Sequence, residues 1–401
     1  MPKTIEFNPL SNEHTTNPYP LYDELRDHAP IIVDSLMGFY MVSRYDDVRE
    51  VIKNTKVFSS RAMGPELIAS TLPGISEDPR FLTQNIVGCD PPEHTRLRRL
   101  VSAVFTSRRI AKFEEEVRVV TNQLLDEAET SGRFDFIEDL AGPLPVVVIS
   151  KMLGLDPDRW RDLKRWSDDV IEGTAGDPFN MDVDRIQASM QAQFNYFRSV
   201  IDERQAEAKD DLISELLRAH SEDDKLTLDE VQAFATLLLI AGNETTTNMM
   251  GNAMLSLLRH PDQLDALRND PSLIPAAMEE ALRYDTPFKS VMRLTLEDTT
   301  LGGVSIAEGS IVMLLLGSAN RDPRHFPEPD IFDIRRGSKE HFAFGYGLHY
   351  CIGANLARLE TRVAFECLLE RFGAIRQASK ELTYKPSLVL RALEALPLEC
   401  R

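Results

Sequence analysis

Closely spaced cysteines are missing from this sequence. The four present, Cys89, Cys351, Cys367 and Cys400, stand at wide, irregular intervals. That argues against a disulfide framework and against a zinc site built from cysteine pairs. Long apolar runs are missing too: stretches such as Pro145–Ile149 and Leu237–Ala241 fall far short of the roughly 18 residues a membrane span needs. Met1 to Arg26 carry Pro, Asn and charges where a secretion signal needs a continuous apolar stretch, so a soluble cytoplasmic protein is expected. Positive charge is in deficit, with 45 Lys and Arg against 64 Asp and Glu and a net charge of -19, which excludes general affinity for nucleic acid. Linkers rich in Gly, Ser or Pro, low-complexity tracts and fixed-period repeats are also lacking. With 43% hydrophobic and 27% charged residues, the composition is that of a globular protein, and residues 1–401 are expected to form a single domain.

What is present is mostly helical periodicity. Amphipathic stretches run over Pro92–Phe105, Ser107–Glu129, Val183–Ala208, Leu228–Arg259, Ile274–Tyr284 and Ala354–Phe372. A small hairpin is expected from Ile31–Asp34 and Phe39–Ser43, and strand-like pieces return at Val304–Leu316 and beyond Leu382. The fold is therefore expected to be mainly α with minor β. Thr227 and Glu230 form a capping-box signature at the start of Leu228–Arg259. The middle of that helix reads Ala241-Gly242-Asn243-Glu244-Thr245-Thr246-Thr247, where glycine and β-branched residues are poor helix formers. An interruption at a functional site is expected there, with a packing glycine as the plainer reading. From Arg96 to Lys112 stand Arg96, Arg98, Arg99, Arg108, Arg109 and Lys112 without an acid. On an acidic chain this stretch could steer an acidic protein partner or simply be a solvated helix face.

The densest signal is Phe344-Gly345-Tyr346-Gly347-Leu348-His349-Tyr350-Cys351-Ile352-Gly353, leading into Ala354-Asn355-Leu356-Ala357-Arg358. Glycines let backbone approach a flat cofactor, and a cysteine at a helix N-terminus has N–H groups to stabilise a thiolate. A single cysteine so held suits an axial haem ligand. The segment resembles the cysteine loop of the cytochrome P-450 family at each fixed position. By that resemblance Cys351 is the iron ligand of a heme b, Phe344 packs beside the sulfur, and His349 reaches a propionate, with Gly345 and Gly353 shaping the loop. Glu280 and Arg283, as Glu-x-x-Arg, and the segments Asn320–Pro323 and Pro329–Arg336 resemble further family segments. Arg336 would there complete a structural triad with Glu280 and Arg283.

Asp90-Pro91-Pro92-Glu93-His94-Thr95-Arg96-Leu97-Arg98 resembles another family segment, in which His94 and Arg98, with Arg293 and His349, meet the propionates. Ala241-Gly242-Asn243-Glu244-Thr245 resembles the oxygen-binding groove: Ala241 and Gly242 open room beside the cofactor, Glu244 feeds protons and Thr245 bonds the oxygen ligand. Glu244 stands where many members have Asp, a departure that puts the relay geometry in question. The resemblance runs from Asn17-Pro18 to Leu398 and implies a monooxygenase using O2, served by a separate ferredoxin- or flavodoxin-type donor with its reductase. The basic stretch would be the docking surface.

The resemblance also places substrate contacts in Arg61–Val87, Ile171–Asp184, the helix face before Ala241, Phe288–Met292 and Ser387–Leu390. Val87, Phe288, Val291, Leu388 and Val389 are the candidates, and an apolar substrate is expected. Lys289 and Arg61 would meet a substrate carboxylate or else face water. Two other readings stay open: a haem-thiolate enzyme that uses peroxide or rearranges its substrate, and a haem-based sensor without turnover.

Overall fold

The computed structural model describes residues 8–64, 85–218, 220–221 and 224–401. Its helices are α1 (Asn12–Thr16), α2 (Tyr19–His28), α3 (Tyr45–Lys53), α4 (Glu93–Val104), α5 (Ser107–Ala111), α6 (Glu114–Ser131), α7 (Pro143–Leu153), α8 (Trp160–Ala175), α9 (Val183–Ala206), α10 (Leu212–Arg218), α11 (Leu228–Arg259), α12 (Pro261–Asn269), α13 (Ile274–Tyr284), α14 (Leu316–Ala319) and α15 (Ala354–Arg371). The mainly α expectation holds, and most helix ends agree with the sequence reading to within two residues. The stretch Ser107–Glu129 is the exception, because it divides. The Thr106 hydroxyl caps α5 by accepting from Arg109 N, the chain turns at Lys112–Phe113, and Glu114, Glu115 and Glu116 favour a fresh helix start through the positive end of its dipole.

The hairpin is present, with Ile31–Val33 antiparallel to Tyr40–Val42. It forms one edge of a five-stranded sheet in which Ile311–Leu314 lies parallel to Tyr40–Val42 and antiparallel to Val291–Thr295, with Phe58–Ser59 at the far edge. Arg293 thereby sits in an inner strand, paired across from Val312. A smaller sheet joins Ile375–Gln377, Pro397–Cys400 and Arg133–Asp135.

Helix α11 is the axis of the helical region. Its capping box is present as read, with Glu230 N donating to the Thr227 hydroxyl and Thr227 N to the Glu230 carboxylate. From Thr246 to Leu257 its residues are buried on every side, as befits a helix surrounded by others. The expected interruption is not there: α11 runs unbroken through Gly242–Thr247. Tertiary packing overrides weak local propensity at this point. Gly251 supplies the close approach instead, since a Cβ there would lie 2.6 Å from Ile137 Cδ1.

Candidate active site

The cysteine loop is fixed by its own backbone. Gly345 and Gly347 adopt φ of +71° and +64°, and a Cβ on Gly345 would come within 3.2 Å of His349 O. Cys351 N donates to Phe344 O at 2.8 Å, which brings the aromatic ring and the sulfur to the same stretch of cavity wall. Beneath the loop lies the expected triad. Arg283 donates to both Glu280 oxygens at 2.8 Å, and Arg336 Nε to Glu280 Oε1 at 3.1 Å. Arg283 also donates to the carbonyls of Asn320 and Pro329, which ties α13 to the segment leading into the loop. Glu280 and Arg283 have 0% side-chain exposure, so the pair is a buried brace with its hydrogen bonds satisfied.

Cys351 opens onto a deep cavity and is accessible from there, although protein surrounds the sulfur on its remaining sides. Burial pushes its thiol up. Gly353 N, Arg98, Arg358 and Ala354 N pull in the other direction without prevailing. Burial of this kind disfavours the charged form, and a cation held against the sulfur would favour it.

Opposite requirements govern the rim. His94 and Arg98 from α4, Arg293 from its strand and His349 from the loop converge on the cavity. The His94 and His349 rings lie 4.2 Å apart, and His349 Nε2 is 2.9 Å from Ser60 Oγ. Both ring nitrogens of His94 and Arg293 Nε are buried without a partner. Burial, then Arg293, His94 and Arg98, hold His349 down to about 3, and burial lowers Arg293 to about 10. Clustered donors that repel one another, with three buried nitrogens left without a partner, describe a receptor for a dianion. The propionates of the haem implied by the sequence are such a dianion, so a sulfur on the wall and these donors at the rim fit that group. Chemically, it would supply reductive activation of O2.

On the long helix, Ala241, Gly242 and Thr245 line the cavity, and the Thr245 hydroxyl donates to Ala241 O at 2.6 Å. Glu244 does not line it. Successive helical residues are about 100° apart, so Glu244 and Thr245 cannot share one direction. Glu244 is buried, with Oε1 3.4 Å from Lys385 Nζ and Oε2 without a partner. Lys385 reaches solvent, and Asp168 nearby is held above its usual range by burial, a trend Lys164 opposes and Glu244 reinforces.

Among the substrate candidates, Val87, Phe288 and Val291 line the cavity, as do Phe234, Leu237 and Leu238 before Ala241. Leu388 and Val389 do not. They are buried with Tyr22, Leu25, Met41 and Met313, because Ser290 Oγ donates to Leu388 O and Lys289 N to Val389 O, turning the segment against the sheet. Ile171–Asp184 also stays off the cavity wall, and Phe179 is 68% exposed. Residues 65–84 of the expected Arg61–Val87 segment lie outside the described residues. Arg61 faces solvent and Lys289 is buried away from the cavity, so neither is placed to meet a substrate carboxylate.

Sequence reasoning missed Met249, Ile149 and Leu282 in the wall, which read as ordinary core, and Lys385, which carried no motif. It also missed Glu279. The signal for that residue was its place beside Glu280.

The cytochrome P450 family model matches residues 36–396. Cytochrome P450 107B1 of Saccharopolyspora erythraea is 40% identical over 94% of this chain and 93% of its own length. The 6-deoxyerythronolide B hydroxylase of the same organism is 36% identical over 95% of each. Among solved structures, CYP109Q5 from Chondromyces apiculatus aligns with a TM-score of 0.89 and 41% identity over 98% of both chains. P450BioI, in complex with an acyl carrier protein ligated to hexadec-9Z-enoic acid, aligns at 0.89 and 34% identity over 97% of this chain and 99% of its own. Members of this family bind heme b through a cysteine thiolate and act as oxidoreductases. With that cofactor's requirements met by the cavity and the match spanning nearly the whole sequence, this chain belongs to the cytochrome P450 family.

Proposed function

We propose that this chain is a monooxygenase that inserts one oxygen atom from O2 into a C–H bond of an uncharged, apolar substrate in the cytoplasm. In this reading Cys351 is the axial ligand, with Phe344, Gly345 and Gly353 shaping the loop around it. His94, Arg98, Arg293 and His349 hold the propionates, and Ala241 and Gly242 leave room beside the cofactor face. Thr245 positions a proton at its hydroxyl oxygen. Glu244 is the internal acid behind it, in contact with solvent through Lys385. The observation that carries the proposal is one cavity with a single thiol on its wall and, at its rim, a cluster of donors in which both His94 nitrogens and Arg293 Nε are buried without a partner.

Phe234, Leu237, Met249, Phe288 and Val291 supply an apolar substrate surface. Among the described lining residues the charged or imidazole groups are those assigned to the propionates, so none is left for a substrate anion. The names of relatives fit a bulky apolar substrate: 6-deoxyerythronolide B hydroxylase, P450BioI in complex with a hexadec-9Z-enoic acid ligated acyl carrier protein, and CYP109E1 in complex with testosterone. Thr245 at the cavity favours O2-dependent turnover over the peroxide-using and sensor readings. Electrons come from a separate ferredoxin- or flavodoxin-type protein.

The test is the absorption spectrum of the reduced carbon monoxide complex. The wild-type protein is expected to give the thiolate-type band, and Cys351→Ala to lose it together with turnover. Retention of both by Cys351→Ala would refute the assignment. Titration with uncharged apolar compounds is expected to shift the ferric absorption, whereas short-chain carboxylates leave it unchanged.

A further inference from the structure

Helix α15 presents Arg358 two turns after Cys351, and helical side chains lean toward the N-terminus, which aims this guanidinium back at the cysteine loop. There its Cζ lies 4.4 Å from the centre of the Phe344 ring. Its position is over-determined. Glu279 of α13 accepts from Arg358 Nε at 2.5 Å and from Nη2 at 3.0 Å, and Arg358 Nη1 donates to the Tyr350 hydroxyl at 3.1 Å. The remaining capacity of Glu279 is taken by His341 Nε2 at 3.1 Å. Glu279 and His341 are buried, with 5% and 2% side-chain exposure, while Arg358 is one-quarter exposed. A bidentate pair locked at its far end and stacked on an aromatic face holds a cation in one place.

We propose that Arg358 is a positioning residue that tunes the electron-donating power of the Cys351 sulfur, with Glu279 and His341 as the clamp that fixes its charge against Phe344. The inference rests on the haem-thiolate reading above. A fixed positive charge near the thiolate stabilises the added electron of the ferrous state and so raises the reduction potential. Its carboxylate partner offsets part of that effect. Arg362 provides an internal control: it stands one turn further along α15 on the same surface groove and pairs with Glu114 and Glu366, with no contact to the loop.

The experiment is a redox titration of the haem-loaded protein in four forms: wild type, Arg358→Gln, Glu279→Gln and Arg362→Gln. Arg358→Gln is expected to lower the ferric-to-ferrous equilibrium constant about tenfold, equivalent to 59 mV for one electron. Glu279→Gln keeps an acceptor for the guanidinium but removes the negative charge, so its potential is expected to rise. Arg362→Gln is expected to leave the potential in place. Movement of the first two in the same direction, or an Arg358→Gln shift no larger than that of Arg362→Gln, overturns the proposal. If Arg358→Gln does not retain haem, the comparison of Glu279→Gln with Arg362→Gln decides: a rise supports the clamp, and no rise refutes it. A wild-type protein without the thiolate-type carbon monoxide band would defeat the parent reading. A normal band with unmoved potentials would defeat this inference alone.

Discussion

Thr245 lines the cavity where the sequence reading puts it, whereas Lys289 is buried away from it. The Thr245 hydroxyl bonds Ala241 O within its own helix while facing the cavity, so its loss removes a polar group from the cofactor face without leaving a buried partner stranded. Thr245→Ala is expected to divert electrons into peroxide, with product per electron pair falling at least about tenfold, since a positioned proton donor contributes roughly 10²–10⁴-fold. Thermal stability should hold or rise by about 0.5 kcal/mol, because alanine is the better helix former. Unchanged coupling in this variant would remove Thr245 from the relay. Lys289 is a buried cation, and burial followed by the charge of Arg391 lowers it from the usual 10.5 to about 7. Its folded-state proton affinity is depressed, so the unfolded chain binds more protons between those values and stability rises with pH across the window. The cost is full below about pH 7 and vanishes above 10.5. Lys289→Met keeps the apolar stem, and it is expected to stabilise the protein by about 2–5 kcal/mol near pH 6–7, each pKa unit corresponding to ~1.4 kcal/mol. That gain should fade as the pH approaches 10, as followed by Tm. An equal Tm at pH 6.5 would mean that the ammonium has an anionic neighbour.

Among the elements, legibility tracked how local the determining physics is. The bounds and capping box of α11 could be read because a side chain three residues away completes the cap. The cysteine loop was legible for a similar reason, since its glycines must take positive φ within a few residues of the sulfur. The break between α5 and α6 was hidden, because apolar periodicity continues across it while the chain turns at Lys112–Phe113 and three glutamates open the next helix. The unbroken course of α11 through Gly242–Thr247 was equally hidden, since the surrounding helices supply what local propensity lacks. Pairings across the chain were the hardest. Glu244 meets Lys385 and Glu279 meets Arg358 through the packing of separate elements, and no spacing in the sequence announces either pair. The turn of Leu388 and Val389 against the sheet depends on the register of Val291–Thr295, also a tertiary fact.

For the whole molecule, a net charge of -19 repels an acidic electron donor except where a positive region faces it. The structure narrows the basic stretch that could serve. Arg98 is turned into the cavity, Arg96 is engaged by Glu93 and Glu230, and Arg109 by Glu215. Arg99, Arg108 and Lys112 stay exposed. Exposed charges act through solvent, over a screening length of about 10 Å at 0.1 M salt and about 3 Å at 1 M. Their contribution is therefore to the rate of encounter with a donor more than to the strength of the final complex. The double variant Arg108→Glu with Lys112→Glu reverses two charges in this region without touching the cavity. With an acidic ferredoxin as donor, its rate of haem reduction at low ionic strength is expected to fall about tenfold, at the low end of the range for electrostatic steering. The deficit should close as salt rises toward 1 M, because screening removes the steering from both proteins. Ferric substrate titrations and the reduced carbon monoxide spectrum should match the wild type throughout. Stopped-flow reduction at several salt concentrations measures this directly, and a rate equal to wild type at low salt would place the donor on another face.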